Sequence, residues 1–528
     1  MALWDWTWSF SDWILLLLGL GLALYYWGMS SYTRYTKQNL PFSQPLPFIG
    51  NMWRAVYKQL CFQYNILDVY NKFKHHPFSI LFIFRHPVII VNDLELIKAV
   101  TVKDCDYFID HRTTAFEYGE PLWRKGLFNL KGQTWKDMRS TLTPAFTSSK
   151  MKNMFVLISE CCQQFVDFLD QCYQTSPTED SFITKADGNL LILELKDFYT
   201  RYSNDVIATT AFGVEVDSLK QPKNEFFLMG QSATNFGALK LFTFMLFPRL
   251  MEMLGYSLVP GKIADFFRSL VKDTISTRER EGIVRPDMLQ LLMQAKKGTL
   301  QDDNCTEQKN SKTQLDDEDI AAQAVVFFMA GFDTTSTLLC FLTHLLAVHP
   351  DVQARLQKEI DDTLKEGCGK LTYEALFGMK YLDMVVSETL RLYPPAAALD
   401  RLCVQKYTLK TDPPLDLEPG DNIFVPVFGL HRDPQYYPDP DRFDPERFND
   451  ENKYKINPMT YLPFGVGPRM CIGNRFALMG AKLAVTHLLA RYNVKVVPKT
   501  PVDIEIVQAA FNITIRGGFW LGLEQRSV

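Results

Sequence analysis

The sequence predicts a mostly α-helical body with a small β region (α+β), preceded by one N-terminal transmembrane helix. Three observations carry that prediction. Residues Trp13–Thr33 hold no charge, short apolar patches at 78–83 and 87–91 read as strands, and an apolar stretch of about 30 residues lies between the acids at 316–319 and Pro350. At 528 residues, with 47% hydrophobic and 22% charged residues, the chain can bury a sizeable core, and length alone allows two or three domains. Its net charge of −4, from 56 basic and 60 acidic residues, contains no basic excess, so no nucleic-acid partner is expected. Ten cysteines form no C-x-x-C pair and are too dilute for a disulfide scaffold, which points to a reducing compartment.

In chain order, the first element is the anchor, residues 1–33. Ile14 through Leu18, with Leu20, Leu22, Leu24 and Trp27, approaches the ~20 residues that a spanning helix needs. Asp5 and Asp12 lead it and Tyr25, Tyr26 and Trp27 close it, unlike the basic start and small-residue end of a cleaved signal. Arg34 and Lys37 follow while no basic residue precedes, so a single pass is expected, with the body on the cytosolic side of the endoplasmic reticulum membrane. Prolines at 41, 45 and 47 then exclude a regular helix or central strand, and 34–51 reads as a basic, proline-rich hinge. Residues 297–319, charged and polar, read as an exposed loop rather than a domain boundary.

Within the long apolar helix stands Ala330-Gly331-Phe332-Asp333-Thr334-Thr335. Glycine there costs roughly 1 kcal/mol against alanine, and an acid with hydroxyls among Phe327, Phe328, Leu338 and Leu339 needs a reason. Back-bonding of a hydroxyl to the preceding turn is the ordinary one. Glu388 and Arg391 share a helical face, an arrangement common on exposed helices, and Trp135 and Arg139 share another. The most specific signal is Phe464-Gly465-Val466-Gly467-Pro468-Arg469-Met470-Cys471-Ile472-Gly473. Glycines there allow φ > 0 and close approach, which brings N–H donors to a thiolate, and the arginine suits an anionic cofactor edge. No second Cys or His lies close by, which argues against four-ligand zinc and for a metal whose other positions are already filled, as iron's are in haem.

This last stretch fits F-x-x-G-x-R-x-C-x-G at every fixed position and resembles the haem-binding signature of the cytochrome P-450 superfamily of haem-thiolate monooxygenases. The resemblance covers essentially the whole chain. It implies the fold of that family, one catalytic domain over 52–528 with haem b (iron protoporphyrin IX) between a long central helix and the cysteine loop. Cys471 would be the iron ligand, with Phe464 beside the cofactor. Residues 330–335 resemble the oxygen-activating A-G-x-[DE]-T motif, in which Thr334 would hydrogen-bond the activated oxygen and Asp333 would help relay protons. Trp135 and Arg139 resemble a W-x-x-x-R pair that contacts haem propionates, with Arg469 and Arg401 as further partners and Arg112 as a weaker one. Glu388, Arg391 and Arg447 match E-x-x-R and P-E-R-F, a buried structural triad.

By position in the family pattern, Phe332, Ala396, Ala397, Ala510 and Phe511 would line the pocket, and their apolar character implies lipophilic, neutral or weakly basic substrates. The aromatic and Met-rich stretch 235–253 would roof that pocket, dip into membrane lipid or form a core helix. Lys125, Lys131 and Lys136 suit docking of an acidic reductase surface and equally a solvated face. The chain looks most like the clan of vertebrate family three and insect families six and nine, with insect family nine as the nearest match. That implies insertion of one oxygen atom of O2 into lipophilic small molecules, as in detoxification of insecticides or plant toxins. Electrons would come from NADPH through an NADPH-cytochrome reductase, with a cytochrome b-type protein as a second candidate donor. The alternatives are an endogenous hormone or lipid oxidase of the same fold, a reductase-independent haem-thiolate isomerase, and a haem sensor. The intact Asp333-Thr334 pair and the lack of a visible signalling domain weigh against the last two.

Overall fold

The computed structural model describes residues 10–33, 40–57, 61–112, 120–175, 182–186, 190–235, 237–300, 315–412, 414–509 and 512–526. In chain order the main elements begin with α1 (Phe10–Ser30), α2 (Phe62–Phe73), β1 (Phe78–Ile83), β2 (His86–Val91), α3 (Gly132–Leu142) and α4 (Ser148–Gln174). They continue through β3 (Ile183–Ala186), β4 (Leu190–Glu194), α5 (Leu195–Ile207), α6 (Gly261–Glu281), α7 (Asp317–Val348), α8 (Pro350–Glu366) and α9 (Lys380–Leu392). They end with β5 (Leu399–Leu402), β6 (Asn422–Val425), α10 (Asn474–Arg491), β7 (Tyr492–Lys495) and β8 (Trp520–Gln525). The predicted class, mostly helical with small sheets, is the one found. Contacts gather the chain into two compact units, one drawn from the residues up to Phe108 with Ala397–Gly429, the other from Ile109–Ala396 with the residues after Gly429.

The first unit is built on a four-stranded sheet in the order β1-β2-β6-β5. The predicted strand patches form an antiparallel hairpin that pairs Phe78 with Val91 and Ile83 with His86, and β6 then joins β2 in parallel. The proline-rich segment runs along β1, bridging Phe42 to Ile80 and Gly50 to Ile83. α1 is a 21-residue apolar helix of about 32 Å, long enough for a bilayer core of about 30 Å, and its side chains are largely exposed. Its last turn is tied to the sheet. The Arg85 guanidinium lies 3.6 Å over the Trp27 ring, and the Tyr32 hydroxyl, buried just beyond, donates to Phe84 O at 3.0 Å. Of the predicted hinge, residues 34–39 lie outside the described residues.

The second unit is organised around α7. Asp316 and Asp319 close its start as a reciprocal capping box, each side chain taking the other's backbone N–H, and Pro350 begins the next helix. The helix is 32 residues long, about 48 Å at 1.5 Å per residue, close to the expected span. α5, α6 and α10 pack against it. Gly331 has a packing reason, since a Cβ there would stand 2.5 Å from Ile207 Cδ1 on α5. A second sheet, β3-β4-β8-β7, is wholly antiparallel. Of the loop expected at 297–319, residues 301–314 lie outside the described residues. The Met-rich stretch forms two short helices, Ala238–Leu246 and Pro248–Met253, followed by exposed Leu254 and Tyr256.

Candidate functional site

The cysteine loop is shaped by its own backbone. Gly465 and Gly467 take φ of +76° and +77°, a region that side chains with a Cβ avoid. Those two turns let the Cys471 N–H donate to Phe464 O at 2.9 Å and the Met470 N–H donate to Gly467 O at 3.0 Å. Phe464 itself is half-buried at the start of the loop. The Cys471 side chain is reachable from solvent yet deep enough that burial pushes its thiol up, and the Gly473 N–H and the Arg139 guanidinium pull it back. Both facts describe a sulfur at the floor of a hollow. α10 starts three residues later and carries the loop away from it.

α7 reaches the cysteine loop through aromatic packing. Along a helix buried over most of its length, Ala330 and Thr334, one turn apart, are exposed. Thr334 Oγ1 donates to Ala330 O at 2.6 Å, the back-bond that the sequence offers as the ordinary explanation. Phe146 sits edge-on to Phe327 at 5.4 Å and also approaches the backbone of Gly473, so an apolar surface joins helix and loop. Asp333, the neighbour of Thr334 in the chain, lies 2.8 Å from the Lys196 ammonium on α5. Phe332 is buried among Phe328, at 5.0 Å, and Phe227, at 6.4 Å. Two residues of helix rotate a side chain by about 200°, so Phe332 and Thr334 cannot share a face.

The cationic wall comes from α3 and the loop. Trp135 is buried, with the Arg469 guanidinium 3.8 Å over its ring, and burial pushes Arg139 down while the Cys471 charge opposes the shift. Arg469 also donates to Ile109 O at 2.6 Å and Leu130 O at 2.9 Å and pairs with Asp110 at 3.4 Å. It therefore ties the cysteine loop to the chain entering α3. Arg401 and Ala397 belong to the first unit, where Arg401 is buried on β5, donates to Asp400 O and is pushed down by burial. Ala396 is exposed at the end of the second unit's segment, while Ala510 and Phe511 lie outside the described residues.

Behind the loop stands the triad. Arg391 grips Glu388 through two N–H donors at 2.7 and 2.8 Å, and Arg447 lies 3.4 Å from the same carboxylate. Arg391 also donates to His431 O at 2.7 Å. His431, which the sequence reading missed, is fully buried and accepts the Leu462 N–H at 2.9 Å while its Nδ1 faces Arg391 O at 3.0 Å. It connects the triad to Leu462, two residues before Phe464. Lys196 was missed as well, because neither residue stands in a spacing that marks it.

The donor set decides what can bind. Among the described residues no three His, Cys, Asp or Glu side chains converge as a site for a bare metal ion. A lone sulfur between an apolar wall and buried cations fits a metal that brings its own ring of ligands and acidic edge, which is the chemistry of haem. The model of the cytochrome P450 family matches residues 40–517. The chain belongs to the cytochrome P450 family. Its relatives include cytochrome P450 9e2 of Blattella germanica, 56% identical over 501 residues that cover 93% of this chain and 94% of that protein. Cytochrome P450 9b2 of Drosophila melanogaster is 40% identical, with coverage of 95% and 97%, and cytochrome P450 6k1 of Blattella germanica is 39% identical, with 92% and 91%. This P450 is accordingly a haem-dependent monooxygenase of the insect family-nine group, a family that uses haem with electrons from NADPH. Its N-terminal apolar helix fits a membrane protein.

Proposed function

We propose that this P450 is held at the endoplasmic reticulum by residues 1–33 and a hinge over 34–51. Its body, 52–528, faces the cytosol and oxidises lipophilic xenobiotics such as insecticides and plant toxins. The observation that carries the reading is Cys471, a single sulfur at the floor of a hollow with apolar and cationic walls. The 56% identity to a family-nine protein supports the branch. NADPH-cytochrome reductase is the proposed donor, and a cytochrome b-type protein the second to test.

Bound haem supplies the activation of dioxygen and the transfer of one oxygen atom, the other leaving as water with two electrons and two protons. The chain supplies the setting. Cys471 would hold the iron through its sulfur, as a thiolate that metal binding favours over the thiol despite burial. Trp135, Arg139, Arg469 and Arg401 are assigned to the carboxylate edge, and Phe464 to the loop side. Phe146 and Phe327, packed edge-on, are assigned to exclude water from the reacting face. Thr334 Oγ1 must give up its bond to Ala330 O to donate into the hollow, and Asp333 is assigned to replenish its proton. Phe332 backs α7 from its cluster with Phe328, while Ala396, Ala397, Ala510 and Phe511 are assigned to the substrate side.

The test is the reduced carbon monoxide difference spectrum of the haem-loaded chain beside Cys471→Ser. A Soret band at the thiolate position in the parent, absent in the variant, is expected; a histidine-type band in the parent overturns the reading. Turnover of lipophilic insecticides and plant compounds, compared with steroids and fatty acids, then decides between detoxification and an endogenous role.

A further inference from the structure

We propose that Lys196 is a positioning residue for proton delivery, holding the Asp333 carboxylate where it can serve Thr334. The inference rests on the relay role assigned above to Asp333. Lys196 sits in the first turn of α5, two residues after Glu194, whose side chain caps that helix by accepting the Asp197 N–H at 2.8 Å. From there its ammonium crosses to α7 and spends all three protons on one face of it. It donates to Asp333 Oδ1 at 2.8 Å, to Ser336 Oγ at 3.1 Å and to Thr337 Oγ1 at 2.9 Å. Positions 333, 336 and 337 are spaced i, i+3 and i+4, so the three acceptors line up under one cation.

The setting is neither surface nor core. Lys196 and Asp333 keep 12% and 19% of their side-chain exposure, enough for exchange with solvent and too little for free rotation. An exposed ion pair fixes little, because two long side chains wander. Here the hydroxyls of Ser336 and Thr337 complete the coordination of the ammonium, so the pair has one geometry. Without the cation, a largely buried carboxylate either takes up a proton or turns out to water. Either change removes Asp333 as an ordered proton carrier beside Thr334. A plain staple between α5 and α7 would predict lost stability with normal use of oxygen, and that difference can be measured.

The experiment compares the full-length, haem-loaded chain with Lys196→Met, Lys196→Arg, Asp333→Asn and the Lys196→Met/Asp333→Asn double variant. The readouts are hydrogen peroxide released per NADPH consumed, the solvent deuterium effect on product formation, the spectral Kd of substrate, and unfolding in denaturant. Lys196→Met should raise peroxide per NADPH by about threefold or more, the modest end of what a misplaced proton-transfer group costs. Substrate Kd should not move, and Lys196→Arg should return peroxide to within about twofold of the parent, since the charge is kept. Adding Lys196→Met to Asp333→Asn should change peroxide no further, and the unfolding constants of the four proteins should be non-additive. If Asp333→Asn leaves peroxide at the parent level, the relay role itself fails. If Asp333→Asn raises peroxide and Lys196→Met does not, or if the unfolding constants are additive, the Lys196 inference fails alone. Should Lys196→Met not retain haem, Lys196→Gln takes its place under the same criteria.

Discussion

Glu388 and Asp333 are both carboxylates facing a cation inside the second unit, and burial separates what each can do. Glu388 is fully buried, takes two bonds from Arg391 and a third from the Asp444 N–H at 2.9 Å, and has Arg447 beside it. Burial pushes its carboxyl up, with Arg391 and the Asp444 N–H pulling it back. Asp333 keeps a solvent-facing fraction and its cation is shared with two hydroxyls. The difference teaches that one ionic pairing can be a closed fastening, buried from water, or can stay partly open to solvent. Bond count and access to water choose between them, and the residue types do not.

The comparison breaks most visibly at Arg391. Arg391→Met strands Glu388 without its main partner, and a loss of about 3–5 kcal/mol is expected, enough to cost haem retention. Denaturant unfolding checks it, and a midpoint equal to the parent's would erase the distinction. On the other side, Thr334→Ala removes an exposed hydroxyl whose bond is local. Stability should stay within about 1 kcal/mol of the parent while peroxide per NADPH rises, as read from titration of both products.

The pH dependence sharpens the same contrast. Burial drops His431 from 6.5 to about 3, so its contribution to stability is full above pH 6.5 and is lost as pH falls toward 3. The slope reaches about 1.4 kcal/mol per pH unit for one proton. Asp205, buried against Ser218 and raised from 3.8 to about 7, works in the opposite sense, its contribution being present below pH 3.8 and lost as pH rises toward 7. Asp205→Asn should therefore steepen the gain in stability between pH 4 and 6.5, which unfolding curves across that range would show. The smallest effect is expected outside both clusters. Arg85→Ala removes the guanidinium over Trp27 and should cost about 0.5–1 kcal/mol without touching peroxide release.

Much of this was legible because local chemistry marks it. Acids at 316–319 and Pro350 bound α7 almost to the residue, and the glycine spacing around Cys471 gives the turn that presents the sulfur. Glu388 meets Arg391 and Arg447 in the structure. What escaped depends on which helices become neighbours. Lys196 is an ordinary helix lysine until α5 packs on α7, and His431 is one of eight histidines until the cysteine turn folds over Arg391. Phe332, expected at the pocket from its place in a motif, packs with Phe328 and Phe227, neighbours that no spacing in the sequence names. Arg469 carries a second duty that its motif does not reveal, fastening the loop to Ile109, Asp110 and Leu130.

The contacts at the end of α1 bear on how the protein can be made. Tyr32 packs 4.6 Å from Phe82 and its hydroxyl reaches Phe84 O and Leu46 O, so part of what looks like a disposable membrane leader is a plug in the sheet. Trimming the chain after residue 33 to obtain a water-soluble enzyme would pull that plug and leave a hole lined by Phe82 at the rim of the first unit. Trimming before Trp27 removes most of the greasy helix and leaves the plug, and Arg85's seat, in place.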